Sequence, residues 1–380
     1  MKIGIPKEIR AGETRVAMVP SLISNLTREK HTVLIETHAG TAASFSDEAF
    51  QSAGATIVAT PQELYAAADV ILKVQPPTKA EVALMKEGLS YIGFLAPLAN
   101  LDIVRAMAER RITAFSMEYV PRITRAQSMD ALSSMATVAG YKAVLLAAER
   151  MGKMFPLLMT AAGTVPAATV LILGAGVAGL QAIATAKRLG AKVEAFDPRP
   201  AVKEQVKSVG ASFIEMEISE NVETVGGYAK EQSEAFLQKE REVIGARLPK
   251  VNALITTAQV FGKRAPVLIT EQMVKMMQPG SVIVDLAAEQ GGNCELTVPG
   301  KEIQKYGVTV IGAVNLPATT PVDASQMYSR NLLNLFRHLF PTPDAIPHPA
   351  DEIVKGACIV RDGEVLNETV RASLQQGGVK

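Results

Sequence analysis

The stretch Val170–Asp197, VLILGAGVAGLQAIATAKRLGAKVEAFD, constrains this chain more than any other. Four aliphatic residues, Val170 to Leu173, suit a strand buried on both faces. They run into Gly174-Ala175-Gly176-Val177-Ala178-Gly179, and a helical pattern follows from Leu180 to Leu189. Gly190 stands where a helix end calls for a left-handed residue. A second strand, Val193 to Phe196, delivers Asp197. The whole reads as one βαβ unit.

Each residue type has a physical task in such a unit. Gly174 permits the tight turn out of the strand, Gly176 lets the backbone approach a pyrophosphate, and Gly179 lets the helix pack on the strand. The phosphates would then meet the free N–H groups and positive end of the helix. Asp197 can accept hydrogen bonds from an adenosine ribose and repel a 2′-phosphate, which favours NAD over NADP. Arg199, two residues on, works against that preference, because a nearby arginine accommodates the extra phosphate.

The chain has 380 residues, enough for two domains that each bury a core. Its 39 basic and 38 acidic residues nearly balance, with no basic run, which argues against a nucleic-acid partner. Cys294 and Cys358 form no motif and read as small buried residues of a reducing compartment. No metal-ligand cluster stands out. The N-terminus lacks the apolar region of a signal peptide. Met154 to Ala186 is free of charged residues and long enough to span a bilayer. Pro166 and the glycines interrupt it, so it is expected to be buried α/β core, with no other segment a spanning candidate.

Before this unit, β-rich runs alternate with helical patterns. Strands are expected at Lys2–Ile5, Thr32–Glu36, Ala55–Val58, Val70–Val74, Tyr91–Phe94 and Ile112–Ser116. Helices are expected at Ser21–Glu29, Pro61–Ala67 and Leu101–Arg110, the last with Asn100 as N-cap. After it, strands are expected at Ala253–Thr257, Val282–Leu286 and Val308–Gly312. The fold expected is α/β, with two Rossmann-like doubly wound parallel-sheet domains joined by long helices and an NAD cleft between them. One helix runs from about Ser128 to Gly152. Another begins after Pro321 and returns the chain to a discontinuous first domain, 1–134 with 320–380, around a dinucleotide domain of 135–319. Asp362-Gly363 reads as a hairpin turn.

A dehydrogenase that moves a proton with its hydride needs an acid or base. None of His31, His38, His338 and His348 falls in a recognisable catalytic constellation, and each reads as structural. Transfer between two nicotinamides moves no proton at the reacting carbons, so it needs positioning and exclusion of water instead. Gln127, Asp130 and Ser133 recur at three-residue spacing and would share one face of a helix start. They suit either a carboxamide-orienting face or a simple cap. Gly226-Gly227-Tyr228 suits either a mobile flap or a solvated loop.

GIPKEIRAGETRVAMVP, the glycine segment and RITRAQSMDALSS together resemble the NAD(H)-binding components of proton-translocating NAD(P) transhydrogenases, a family that shares its fold with alanine dehydrogenase. The resemblance covers essentially the whole chain, with Gly12 where Asn is usual. It implies that Arg122, Gln127, Asp130 and Ser133 contact the nicotinamide, and that Gly227 and Tyr228 belong to a loop closing over NAD(H). It implies further dinucleotide contacts from Val177, Asp197, Pro198, Arg199 and Gln259, although AQVFGKRAP departs from the usual IPG version beside Gln259. It also implies a homodimer, a partner subunit that holds NADP(H), a separate membrane-spanning subunit, and a place on the cytoplasmic face of the membrane. Alanine dehydrogenases bind pyruvate with an Arg and a Lys, matched by Arg15 and Lys73. Their catalytic His and Asp align with Ala96 and Glu289. The rivals are therefore an amino-acid dehydrogenase lacking its imidazole and a non-catalytic NAD-binding regulatory module.

Overall fold

The computed structural model describes residues 1–216, 233–260, 262–342, 345 and 347–376. The chain divides into two units, Met1–Met135 with Pro317–Lys380, and Ala136–Leu316.

In the first unit, short aliphatic runs form β1 (Lys2–Ile5), β2 (Thr32–Glu36), β3 (Thr56–Val58), β4 (Val70–Leu72), β5 (Ser90–Gly93) and β6 (Thr113–Ser116). These strands are parallel, in the order β3-β2-β1-β4-β5-β6. Every residue of β4 is buried, as strands covered by helices on both faces require. Crossover helices start on local signals. Thr60 and Pro61 open the helix Pro61–Ala67, and Thr78 with Glu81 forms a capping box at the next helix.

In the second unit, β7 (Leu158–Thr160) and β8 (Gly163–Val165) form a separate hairpin. The main sheet comprises β9 (Thr169–Leu173), β10 (Lys192–Phe196), β11 (Ser212–Phe213), β12 (Ala253–Thr256), β13 (Val282–Asp285), β14 (Glu302–Lys305) and β15 (Val308–Gly312). Its order is β11-β10-β9-β12-β13-β15-β14, parallel except for β14. Both sheets therefore reverse direction beside their first strand, the switch point at which doubly wound folds open a crevice. The chain ends by adding β16 (Cys358–Arg361) and β17 (Glu364–Val365) antiparallel at the β6 edge of the first sheet. Asp362 and Gly363, both at positive φ, make the tight turn between them.

Two expectations hold only in part. Asn100 takes the N-cap position of the helix Leu101–Glu109 as expected, but its side chain makes no capping bond; its amide nitrogen donates to the carbonyls of Leu95 and Ala96. Met154–Ala186 does resolve into hairpin, strand and helix. The helix Ala131–Arg150, however, is long and apolar enough to cross a membrane, although no segment beyond Met154–Ala186 was expected to be. Its apolarity has a packing cause: Ala143, Val144 and Ala147 enter the second unit's core beside β9 and β10 residues.

Candidate functional site

At the end of β9 the three glycines prove to be required for different reasons. Gly174 has φ +92°, and a Cβ there would lie 2.5 Å from Thr257 Oγ1. A Cβ at Gly179 would lie 1.8 Å from the Gly174 carbonyl oxygen, so the helix Val177–Arg188 reaches the strand only without a side chain at that position. Gly176 has φ −74°, open to any residue, and its Cβ would meet nothing within 4 Å. The fold gives no reason for glycine at 176. No side chain caps this helix start, and Val177 is exposed there, so the first amides face outward as an anion site needs.

Asp197, 4% exposed at the end of β10, ties that strand to the glycine loop. Its Oδ2 accepts from Ala175 N at 2.7 Å and from Arg199 Nη2 at 2.8 Å. Its Oδ1 accepts from Arg199 N and Nε, each at 2.9 Å. Four donors fill the roughly four lone-pair directions of a carboxylate. A ribose hydroxyl would therefore reach Asp197 only by displacing Arg199, and the ion pair also blunts the charge expected to repel a 2′-phosphate. A second carboxyl, Glu240, lies on the buried face of the helix Glu234–Gly245 with Phe236 and Ile244. Burial, aided by the Asp197 charge, pushes it up to about 8. Gln259 is exposed beyond β12 and donates to the Leu286 carbonyl. Pro198 is half-buried between Asp197 and Arg199. Gly227 and Tyr228 lie outside the described residues.

In the first unit, Gln127, Asp130 and Ser133 do not share one helix face. Thr124–Met129 is a 3-10 turn, and Asp130, at φ −74° and ψ 88°, breaks it before the helix Ala131–Arg150 begins. Asp130 then caps that helix, accepting from Ser133 N at 2.8 Å and Ser133 Oγ at 2.6 Å. Arg122 and Gln127 are exposed on the segment leading in. The cap leaves Gln127 as the exposed amide of the turn.

The first unit's own switch point is filled by protein charge. Lys73, 1% exposed after β4, has its ammonium 2.9 Å from Glu81 and 3.2 Å from Glu8. Burial raises Glu8 above its ordinary range. Burial opposes charge on Lys73, yet Glu8 and Glu81 win and raise it. Arg15 forks onto Glu13 at 2.8 and 2.6 Å, and Gln75 also donates to Glu13 at 2.6 Å. Burial alone would raise Glu13, but the Arg15 contacts bring it down to about 2. Tyr328 and Tyr91 close this network with bonds to backbone carbonyls. Ala96 holds φ +41° with its amide on Glu118, and Glu289 is exposed in the second unit. His31 is buried edge-on against Phe336, and burial lowers it. Burial raises Cys294 to about 11 and Cys358 to about 12, so both stay inert thiols.

Sequence reasoning passed over Gly140. In the helix Ala131–Arg150, a Cβ at Gly140 would come 2.1 Å from the Ala178 carbonyl, so this glycine lets the long helix lie against the first turn of the nucleotide-loop helix. An isolated glycine inside a helical pattern was the available signal.

Paired doubly wound sheets with an open glycine loop define a dinucleotide-binding α/β protein. Residues 4–139 match the N-terminal domain of alanine dehydrogenase/PNT, and residues 143–368 match the C-terminal domain. The chain is 50% identical over 376 residues to the first part of NAD(P) transhydrogenase subunit alpha from Rhodospirillum rubrum, covering 97% of this chain and 98% of that one. A crystal structure of transhydrogenase from Sinorhizobium meliloti superposes with a TM-score of 0.84 at 38% identity, over 97% of this chain and all (100%) of that one. Alanine dehydrogenase of Bacillus subtilis is 32% identical over 329 residues, 84% of this chain and 81% of the enzyme. The chain belongs to the alanine dehydrogenase/PNT family, and within it stands nearer the transhydrogenase subunits.

Proposed function

We propose that this chain is the NAD(H)-binding component of a proton-translocating NAD(P) transhydrogenase. The glycine loop holds the pyrophosphate, with Gly176 at closest approach and Val177, Asp197, Pro198, Arg199 and Gln259 around the adenosine half. Arg122, Gln127, Asp130 and Ser133 orient the nicotinamide, and Gly227 with Tyr228 shuts the site. Hydride passes directly to NADP⁺ on a partner subunit; proton translocation belongs to a membrane-spanning partner, with this chain peripheral on the cytoplasmic face.

The observation that carries this reading over an amino-acid dehydrogenase is the state of Arg15 and Lys73. Both cations are already met by carboxylates, Glu13 for one and Glu8 with Glu81 for the other, and Ala96 offers no proton-transferring group. A keto-acid carboxylate would have to displace buried ion pairs. Hydride exchange between nicotinamides needs none of these groups.

The test adds the purified chain to membranes carrying the other transhydrogenase subunits but lacking this one. NADPH-dependent reduction of an NAD analogue should be restored, and should fall at least about 10-fold with Gln127→Asn. Oxidation of NADH by pyruvate and ammonium would instead establish the dehydrogenase reading.

A homodimer is supported by β7 and β8. An isolated two-stranded hairpin is marginally stable, and this one exposes Met159 at 78% and Val165 at 37%, with Leu157 just before it at 51%. A second copy covering it predicts a dimer mass in sedimentation equilibrium, lost with Met159→Glu; a monomeric wild-type chain would rule it out.

A further inference from the structure

Two side chains on one face of the helix Pro321–Leu339 bond the turn that carries Gln127, and a third reaches it through Asp351. Asn331 Nδ2 and Asn334 Nδ2 both donate to the Ser128 carbonyl, at 2.9 and 3.1 Å. One turn further on, His338 Nε2 lies 2.8 Å from Asp351 Oδ1. The other Asp351 oxygen accepts from Arg125, at 3.4 Å to each terminal nitrogen. The spacing 331, 334, 338 is i, i+3, i+7, which stacks the three along a single stripe. All these groups belong to the first unit.

Each anchor is fixed independently of the turn. Asp351 is locked by capping its own helix, accepting from Ile353 N at 2.9 Å and Val354 N at 3.1 Å. Bonds to His338 and to these amides hold it well below the usual carboxylate range, so it stays ionised for Arg125. The flanking Leu332, Leu335, Phe336 and Leu339 are buried and fix the helix itself. Asn331 is 6% exposed, and its Oδ1 is buried without a partner among the described residues. An unsatisfied buried acceptor costs stability. A residue chosen only for packing would be Leu; Asn here retains one useful group, the amide that grips Ser128.

We propose that Asn331, Asn334 and His338 are positioning residues for hydride transfer: they hold the Thr124–Met129 turn at two points flanking Gln127 and so set where its amide meets the nicotinamide. This rests on the reading of Gln127 given above. The anchors touch neither nucleotide nor reacting carbon. Their effect therefore belongs to the rate of transfer and leaves NADH affinity, supplied by the glycine loop, unchanged.

The experiment uses the full chain reconstituted with partner-bearing membranes. Asn331→Leu/Asn334→Leu and His338→Leu are compared with His338→Gln, whose amide nitrogen replaces Nε2, and with Gln127→Asn. The two leucine variants should transfer hydride about 10- to 100-fold more slowly. NADH affinity should stay at the wild-type value, and Tm should stay within about 4 °C because Asn331→Leu removes an unpaired polar atom. His338→Gln should recover most of the rate. Wild-type transfer in the leucine variants while Gln127→Asn is slow would overturn the positioning role and leave the functional reading intact. Wild-type rates in every variant, Gln127→Asn included, would overturn both. Loss of transfer in step with loss of folded protein or of NADH affinity would reduce the stripe to scaffolding and overturn it as well.

Discussion

The parallel strands of the two units run in the same order, and the units treat its switch point in opposite ways. In the second, β9 runs into a loop whose middle glycine has no neighbour for a side chain to strike. In the first, the crevice beside β1 and β4 is packed with Glu8, Lys73, Glu81, Glu13 and Arg15. Strand order thus supplies a place where a ligand could bind. Local chemistry decides whether protein or ligand fills it.

The largest effect should come from unbalancing the filled crevice. Lys73→Met leaves Glu8 and Glu81 buried without their cation and should cost about 3–5 kcal/mol in urea unfolding. Adding Glu8→Gln and Glu81→Gln should restore most of it. If Lys73→Met alone is neutral, the crevice is wetter than its burial indicates and the contrast between the units weakens.

Next come the two glycines of the open loop. Gly179→Ala drives a methyl into the Gly174 carbonyl and should cost about 3 kcal/mol, with NADH binding lost. Gly176→Ala should leave the unfolding curve unchanged while weakening NADH about 10-fold or more, some 1.4 kcal/mol, in a fluorescence titration. Equal losses of stability from both would mean that position 176 serves the fold after all.

Changes of pH act through two buried carboxyls, and their effects on stability should have opposite signs. Glu13 is lowered from 4.5 to about 2, so its stabilisation is present above pH 4.5 and lost as pH falls through about 2. Glu240 is raised from 4.5 to about 8, so its contribution is full below pH 4.5 and lost as pH rises through about 8. Glu13→Gln should flatten the acid limb of a stability-versus-pH curve and Glu240→Gln the alkaline limb; a mutant that moves the other limb would refute the assignment.

Much of the fold was legible because its determinants are local. Alternating aliphatic runs, Pro61 behind a capping Thr60 and the Asp362-Gly363 turn each act within a few residues, and the strands formed within a residue or two of their expected positions. What escaped depends on partners far away in sequence. The bond from Ala175 N that completes the saturation of Asp197 exists only once β10 lies beside β9. Glu8, Lys73 and Glu81 meet only through the β1–β4 pairing. Asn100 took the N-cap position, but its amide nitrogen turns back to the Leu95 and Ala96 carbonyls and its side chain makes no capping bond. Gln127 and Ser133 had helical spacing, but Asp130, a better cap than helix interior, split them.

Because a methyl at residue 176 would touch nothing in the protein, the three glycines should part company under relaxed selection. In a lineage that stopped using the nucleotide, alanine or serine would drift into position 176 without harm to the fold. Glycine would persist at 174 and 179 long afterwards. Position 176 is therefore a clock for lost ligand binding, whereas its neighbours record only that the chain still folds.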